Sequence, residues 1–431
     1  MNDYSEYIKK IFSKISSLII ADSVSLILMV LFSILFGRIF GEDLFGKFSL
    51  SFILITIFRT IIDLGFDYSL PRSISIDPKN AYIEIINTQI TKLYIFITLS
   101  PIAIIISLFT TLSFSFFILY LSLLPNTVSS TLRAALRGFS DMKTIAKIDT
   151  LVNIMLYIVA AIFVLFKFEL WSIFTLFILF ESLKSFWYFN KIKNKIQNLH
   201  FANFFILLKR IYGNKDKNEN FKNYSFNYQI FSIINSQIKL LSINLLSVLH
   251  FRFSSIMLGI LSNTFAVGEF SAALRFLTAL RVIPGAILNT LLPDFSKPTK
   301  EKKGSKLYLF VFLFALGLII SILLYIFSKP LMMLTFGFEN SIRVLNILAW
   351  GFVLAVLSFF CEAYLLSKNK EKYVNISLII ALIVTLIASV LTIPQVGAIG
   401  AAISALTAEG TLFLSYVFFI TREKMLNLRN Q

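Results

Sequence analysis

Polar and apolar residues alternate along this chain in long blocks. Apolar runs of about twenty residues, the length of helix that crosses the hydrocarbon core of a bilayer, recur from residue 15 to residue 420. Twelve spans are predicted, over 15–36, 47–70, 87–109, 113–135, 148–166, 169–190, 231–260, 265–291, 306–327, 343–366, 373–393 and 398–420. The one long polar interval, 191–225, divides them into six and six. The pattern therefore predicts an N-terminal six-helix bundle over 1–190, a basic linker over 191–225 and a C-terminal six-helix bundle over 226–431. The fold class expected is an all-α polytopic membrane protein.

Basic residues give the orientation. With the N-terminus inside, 28 of the 40 lysines and arginines fall in inner segments, while only Arg38, Lys47, Lys167, Lys329 and Arg343 fall in outer ones. That bias predicts both termini in the cytoplasm. The remaining seven lie within spans.

The two halves repeat. The stretch from Gly46 to Pro71, GKFSLSFILITIFRTIIDLGFDYSLP, aligns without a gap on Gly268 to Pro293, GEFSAALRFLTALRVIPGAILNTLLP, at an offset of 222. Gly46, Phe48, Ser49, Thr56, Arg59 and Pro71 fall on Gly268, Phe270, Ser271, Thr278, Arg281 and Pro293. Extended back to Leu18, the comparison gives 13 identities in 54 positions. A weaker echo at offset 228 sets Glu181 on Glu409 and Tyr188 on Tyr416. Six helices per half is even, so the repeats are parallel, about an axis along the membrane normal. Transporters built on such repeats bind near the midplane, between the halves.

Composition agrees and narrows the chemistry. Hydrophobic residues make up 57% of the 431, and mean hydropathy is +0.81, so a soluble enzyme is excluded. The net charge of +17 would suggest nucleic acid in a soluble protein, but these lysines sit in loops, as cytoplasmic loops require. The polar first fourteen residues carry no cleavable-leader pattern. The single Cys361 can form no internal disulfide, and His200 and His250 with one distant cysteine make no metal site. No phosphate-binding G-x-x-x-x-G-K-[ST] occurs, no cofactor is implied, and no outer loop exceeds about sixteen residues.

Charges inside spans carry the candidate chemistry, because an ionisable group at the bilayer centre costs about 2.5–3.5 kcal/mol on insertion scales and usually faces a cavity or a partner. Lys92, Lys184 and Lys239 lie within about two turns of an inner end, where their stems can carry the ammonium to the interface; Glu362 is similarly near its inner end. Arg59 and Arg281 are too far from either end for that. Arg59 shares a helix face with Asp63 and Asp67, so it either faces a cavity or is neutralised by Asp63. Arg281 has no carboxylate three or four residues away, only Pro284 beside it. Arg252 and Arg275 add two more cations to the C-terminal half, which favours an anionic ligand and predicts that Arg281 holds it more tightly than Arg59. Asp22, whose repeat partner is Asn244, is a candidate for cation or proton coupling or for pairing with an arginine. Glu181 and Glu409 are either interhelical polar contacts or coupling groups. Pro101, Pro125 and Pro284 are expected to bend their helices.

The segment RIFGEDLFGKFSLSFILITIFRTIIDLGFDYSLPRSIS, together with Ala21 to Phe36, the LRAALRGFSDMK turn from Leu132 to Lys143 and the AVGEFSAALRF run from Ala266 to Phe276, resembles the polysaccharide and O-antigen repeat-unit flippases. These belong to the multidrug/oligosaccharidyl-lipid/polysaccharide (MOP) exporter superfamily. The resemblance implies a MATE-like fold of two six-helix bundles, and transfer of a polyprenyl-diphosphate-linked oligosaccharide to the outer leaflet of the cytoplasmic membrane. It implies that Arg59, Arg281, Arg275 and Arg252 line a cavity facing the diphosphate; Asp22, Asp63, Glu181 and Glu409, singled out by their places within the spans, are the candidates to couple a cation, Na+ or H+, or to pair within that cavity. Membrane lipid and a polysaccharide polymerase are the partners implied. A drug/cation antiporter of the same superfamily is the alternative, though it would want an acidic cavity. A membrane enzyme of polysaccharide assembly is a third, disfavoured by the short outer loops.

Overall fold

The computed structural model describes residues 2–193, 195–196, 226–282, 284 and 305–429. Among them every regular element is helical: α1 Asn2–Asp63, α2 Phe66–Ile76, α3 Ala81–Phe109, α4 Ser113–Leu121, α5 Leu123–Gly138, α6 Met142–Leu165, α7 Leu170–Lys193, α8 Phe226–Leu261, α9 Thr264–Leu280, α10 Ser305–Ile326, α11 Ser328–Thr335, α12 Ser341–Ser367, α13 Glu371–Val396 and α14 Ala398–Arg429. Most of the linker, His200 and the expected end of the eighth span lie outside the described residues, as does the side chain of Lys239.

Ten stretches among the described residues are long and apolar enough to cross a membrane, so the chain is a multi-pass membrane protein. One of them, Ala21–Ile76, is 56 residues long and bends at Gly41, whose backbone (φ 76°, ψ −177°) leaves the helical region. At 1.5 Å per residue it is long enough for two passes. The expected second span does not run on to residue 70. It stops at Asp63, because Leu64 and Gly65 take left-handed conformations (φ 53° and 87°) and start a new helix, α2. The expected fourth span is likewise two helices. They part at Ser122, so that Pro125 stands in the first turn of α5, where its missing N–H breaks no helical bond. Pro101, by contrast, stays inside a continuous α3.

The described residues fall into two compact units. The first holds residues 1–28, 58–163 and 168–244; the second holds 29–57, 164–167 and 245–431. The bend of α1 and its flanks thus belong with the C-terminal helices, and the start of α8 belongs with the N-terminal ones.

The second unit explains the sequence repeat. A Cβ on Gly46 would lie 1.7 Å from the carbonyl oxygen of Thr264, and one on Gly268 would lie 2.0 Å from the carbonyl oxygen of Glu42. Residues 42 and 264 are themselves repeat partners, so the contact is reciprocal: each glycine admits the backbone of the other copy. No side chain fits there, which is why both copies keep glycine at this register. Asp43 closes the junction, accepting from the Thr264 hydroxyl and pairing with Lys47 at 2.9 Å.

Candidate functional site

In the first unit the membrane charges are paired across helices. The buried Lys92 ammonium on α3 sits 2.7 Å from Asp63 Oδ1 and donates to Ser130 Oγ at 3.1 Å. Its side chain is 1% exposed, so it does not reach an interface as expected. Nor does Asp63 neutralise Arg59; it is taken by Lys92, and its second oxygen accepts from the Asp67 amide at 3.2 Å. Arg137 on α5 pairs with Asp67. Arg133, one turn earlier, donates from Nε to Asp149 at 2.8 Å and lies 3.4 Å from Asp22. The Tyr188 hydroxyl donates to the same Asp149 at 2.6 Å. Arg133 and Arg137, which the hydrophobic pattern assigns to an inner segment, therefore stand within a helix and hold α5 to its neighbours.

Glu181 on α7 is the hub of this network. It accepts from Ser129 at 2.7 Å and from Asn126 at 3.2 Å on α5, and pairs with Lys184 at 3.2 Å. Lys184 donates onward to Asn153 Oδ1 at 3.3 Å, and the Asn153 amide donates to Ser25 Oγ at 2.7 Å. Lys184 is thus a second lysine held inside, rather than reaching the interface. Arg59 is exposed, and its positive charge bears on Glu181. This packing follows from the sequence: Asn126, Ser129 and Ser130 of α5 and Asn153 of α6 satisfy charges that hydrocarbon could not.

In the second unit Arg281 stands at the C-terminal end of α9. It is not bare. Its Nη2 lies 2.5 Å from Glu409 Oε1, on α14, and its guanidinium stacks over Phe251 at 4.2 Å from the ring centre, with Phe359 at 5.6 Å. His250 Nε2 is 3.9 Å from the same carboxylate, and Glu362 acts electrostatically on both His250 and Glu409. Glu362 is therefore part of an interior cluster, not an inner-end group. The absence of a carboxylate nearby in sequence had no bearing on one supplied by another helix. The echo between Glu181 and Glu409 has its counterpart here: each is the acid of an interior ion pair. All four acids singled out from the sequence, Asp22, Asp63, Glu181 and Glu409, face a cation.

Arg252 and Arg275 line a different cavity of about 90 Å³, with Ser49, Thr56, Ser271 and Thr278 among its walls. Ser49 and Thr56 are the repeat partners of Ser271 and Thr278, and Phe52 and Ile53 of Leu274 and Arg275, so the same four registers of both copies line it. The symmetry reaches the bonding. Thr56 donates to the Phe52 carbonyl at 2.7 Å and Thr278 to the Leu274 carbonyl at 2.8 Å, while the Ser49 and Ser271 hydroxyls are both buried with no hydrogen-bond partner among the described residues. Among the described residues no carboxylate lines the cavity, and Arg252 feels the repulsion of both Arg275 and Arg281. Arg275 also reaches the Met29 sulfur at 3.7 Å. Two of the four candidate arginines are thus brought together in one cavity, Arg281 is held beside it in sequence but committed to Glu409, and Arg59 belongs to the other unit. The sequence pattern assigns Lys92 and Lys184 to the interface and gives His250 no role, whereas each lies beside an interior acid, Asp63, Glu181 and Glu409 respectively.

Comparison with known proteins agrees with this architecture. Residues 11–299 match the family model described as polysaccharide biosynthesis protein. No curated protein matches the sequence. Among solved structures, the lipid II flippase MurJ in an inward closed conformation is similar over 94% of this chain and 87% of its own, with a TM-score of 0.67 and 14% identity. A multidrug resistance MATE transporter of the MOP superfamily, inward-facing, covers 93% of this chain and 96% of its own (TM-score 0.63, 14% identity). A MOP superfamily transporter from Pyrococcus furiosus, described as having a binding pocket of reverse polarity, covers 96% of each (TM-score 0.58, 14% identity). The fold is accordingly MATE- and MurJ-like.

Proposed function

Because the chain belongs to the polysaccharide biosynthesis protein family, we propose that it is a flippase rather than an enzyme. On this reading it carries a polyprenyl-diphosphate-linked oligosaccharide from the inner to the outer leaflet of the cytoplasmic membrane, both termini cytoplasmic, for assembly of a surface polysaccharide. The observation that carries the reading is the cavity shared by Arg252 and Arg275, which holds two cations, two unpartnered serine hydroxyls and no carboxylate. An arginine fork matches phosphate oxygens bidentately. The cavity of about 90 Å³ equals roughly three water volumes, room for a phosphoryl group but not for a sugar. The glycan would travel outside it.

Arg59 and Arg281 would act as further cationic contacts during the crossing. Arg59 is the more available of the two, since Glu181 already has Lys184 while Arg281 is held by Glu409. A drug/cation antiporter is disfavoured by the same cavity: a unit positive charge 4 Å from one guanidinium would be repelled by about 4 kcal/mol at an effective dielectric of 20. No nucleotide-binding motif supplies energy, so the drive would be an ion gradient, with Na+ or H+ competing for a paired carboxylate. Glu409, with His250 at 3.9 Å, is the acid best set to exchange a cation. A polysaccharide polymerase would receive the product.

The experiment is rescue of a strain lacking its own repeat-unit flippase, with lipid-linked intermediates measured on each side of the membrane. The native chain restores surface polysaccharide. Arg252→Ala and Arg275→Ala each abolish it while the protein still reaches the membrane. Normal display in both variants would remove the cavity from the mechanism.

A further inference from the structure

The largest cavity among those described in the first unit lies on the apolar backs of α3, α5 and α7. It has a volume of about 500 Å³, in the range of small-molecule sites. Ile86 and Leu93 of α3, Leu124 and Val128 of α5, and Ile178 and Phe189 of α7 give its character. Three of its few polar side chains are already satisfied by the protein: Gln89 donates to Thr127 at 2.9 Å, Thr131 to the Thr127 carbonyl at 2.8 Å and Ser182 to the Ile178 carbonyl at 2.7 Å. Such a groove offers a ligand hydrocarbon contact and little else.

The same three helices carry the ion-pair network on their other faces. Lys92 adjoins Leu93, Ser130 adjoins Thr131, and Glu181 adjoins Ser182. Polar network and apolar groove therefore occupy adjoining faces of the same helices. At one end of the groove, exposed Lys193 follows Phe189 by four residues on α7, and exposed Lys79 precedes Tyr82 by three at the start of α3. The positive rim suits a chain whose head is anionic.

What occupies the groove is decided by tethering. Inside a bilayer there is no hydrophobic gain in moving a hydrocarbon from lipid to an apolar wall, because lipid tails are as apolar as leucine. A free lipid has no reason to stay. A tail whose head group is held by the same protein does, since the tether raises its effective concentration at the groove. We propose that this groove on α3, α5 and α7 holds the polyprenyl chain of the lipid-linked cargo while the head group crosses, a proposal that rests on the flippase reading above.

The test uses the full chain in nanodiscs and a geranylgeranyl diphosphate carrying a diazirine on its hydrocarbon chain. On illumination, label is expected in peptides of α3, α5 and α7. Ser182→Trp and Leu124→Trp, both at exposed positions on the groove wall, should each cut labelling tenfold or more with the thermal midpoint unchanged; using two helices guards against one variant misfolding. Label spread over other helices, or unchanged in both variants, overturns the proposal. So does equal labelling of the same peptides by a phosphatidylglycerol with a diazirine in its acyl chain, which would assign the groove to ordinary lipid. Neither tryptophan touches Arg252 or Arg275, so the display assay judges the flippase reading separately: restored display with no groove labelling condemns the groove alone.

Discussion

Lys92 separates two physical accounts of a membrane lysine. If its stem merely carried the ammonium to the interface, Lys92→Met would be neutral or slightly stabilising, because an apolar side chain is at home there. The structure instead has the ammonium 1% exposed and 2.7 Å from Asp63. At that separation, and an effective dielectric of 20, the attraction is about 6 kcal/mol before desolvation is charged against it. Deleting one member of a buried pair leaves the other charge uncompensated and costs about 3–5 kcal/mol; the insertion cost of a lone aspartate, about 2.5–3.5 kcal/mol, points to the same size. Asp63 is 21% exposed, so the lower end, about 3 kcal/mol, is expected. Lys92→Met should therefore lower the detergent-solubilised thermal midpoint and the folded yield, and Asp63→Asn in the same chain should recover most of the loss. The check is a double-mutant cycle read by fluorescence size-exclusion chromatography after heating. A Lys92→Met protein as stable as the native one, or a double variant no better than the single, would refute the pairing argument.

Three further outcomes are expected. Gly46→Ala must move a carbonyl from 1.7 Å to at least about 3.0 Å from the new methyl, with no side chain free to yield, so it should destabilise by about 1–3 kcal/mol as overpacking does; Gly268→Ala should do the same, and heat stability reads both. Glu409→Gln should leave Arg281 without its carboxylate and weaken transport driven by an imposed ion gradient in vesicles, whereas unchanged gradient dependence would exclude Glu409 from coupling. Between the spans, burial raises the Asp141 carboxyl but hydrogen bonds from Lys195 and Thr144 outweigh it and hold the group below its usual range. A depressed pKa stabilises above the unfolded value, about 3.9, and that stability is lost as pH falls through the folded value. The native protein should thus lose more stability than Lys195→Ala as pH falls below about 4, measured as thermal midpoints.

The sequence made the membrane class, the helical register and the repeat visible because hydrophobic period and identity at fixed offset are local properties of the chain. The meaning of Gly46 and Gly268 was half visible: both copies keep glycine, and the reciprocal backbone crossing with Glu42 and Thr264 gives the reason. Pairings were not visible. Lys92 with Asp63 and Arg281 with Glu409 join helices far apart in sequence, and spacing along one helix says nothing about a partner on another. Arg281 accordingly looked bare and Lys92 looked peripheral, and both readings reversed once the helices were packed. The breaks at Leu64–Gly65 and Ser122 leave no long polar interval in the sequence; left-handed backbone marks the first only in the fold, while Pro125, in the first turn after the second, was the one local sign of it.

The role proposed for the Arg252 and Arg275 cavity is to hold the phosphoryl end of a lipid-linked glycan. Its most direct measurement is the sidedness of the lipid-linked oligosaccharide in a flippase-deficient strain carrying Arg252→Gln and Arg275→Gln together, in a protein verified to reach the membrane. The account predicts that the intermediate accumulates on the inner leaflet, as it does with no flippase present. An intermediate delivered to the outer leaflet at the native rate would contradict it.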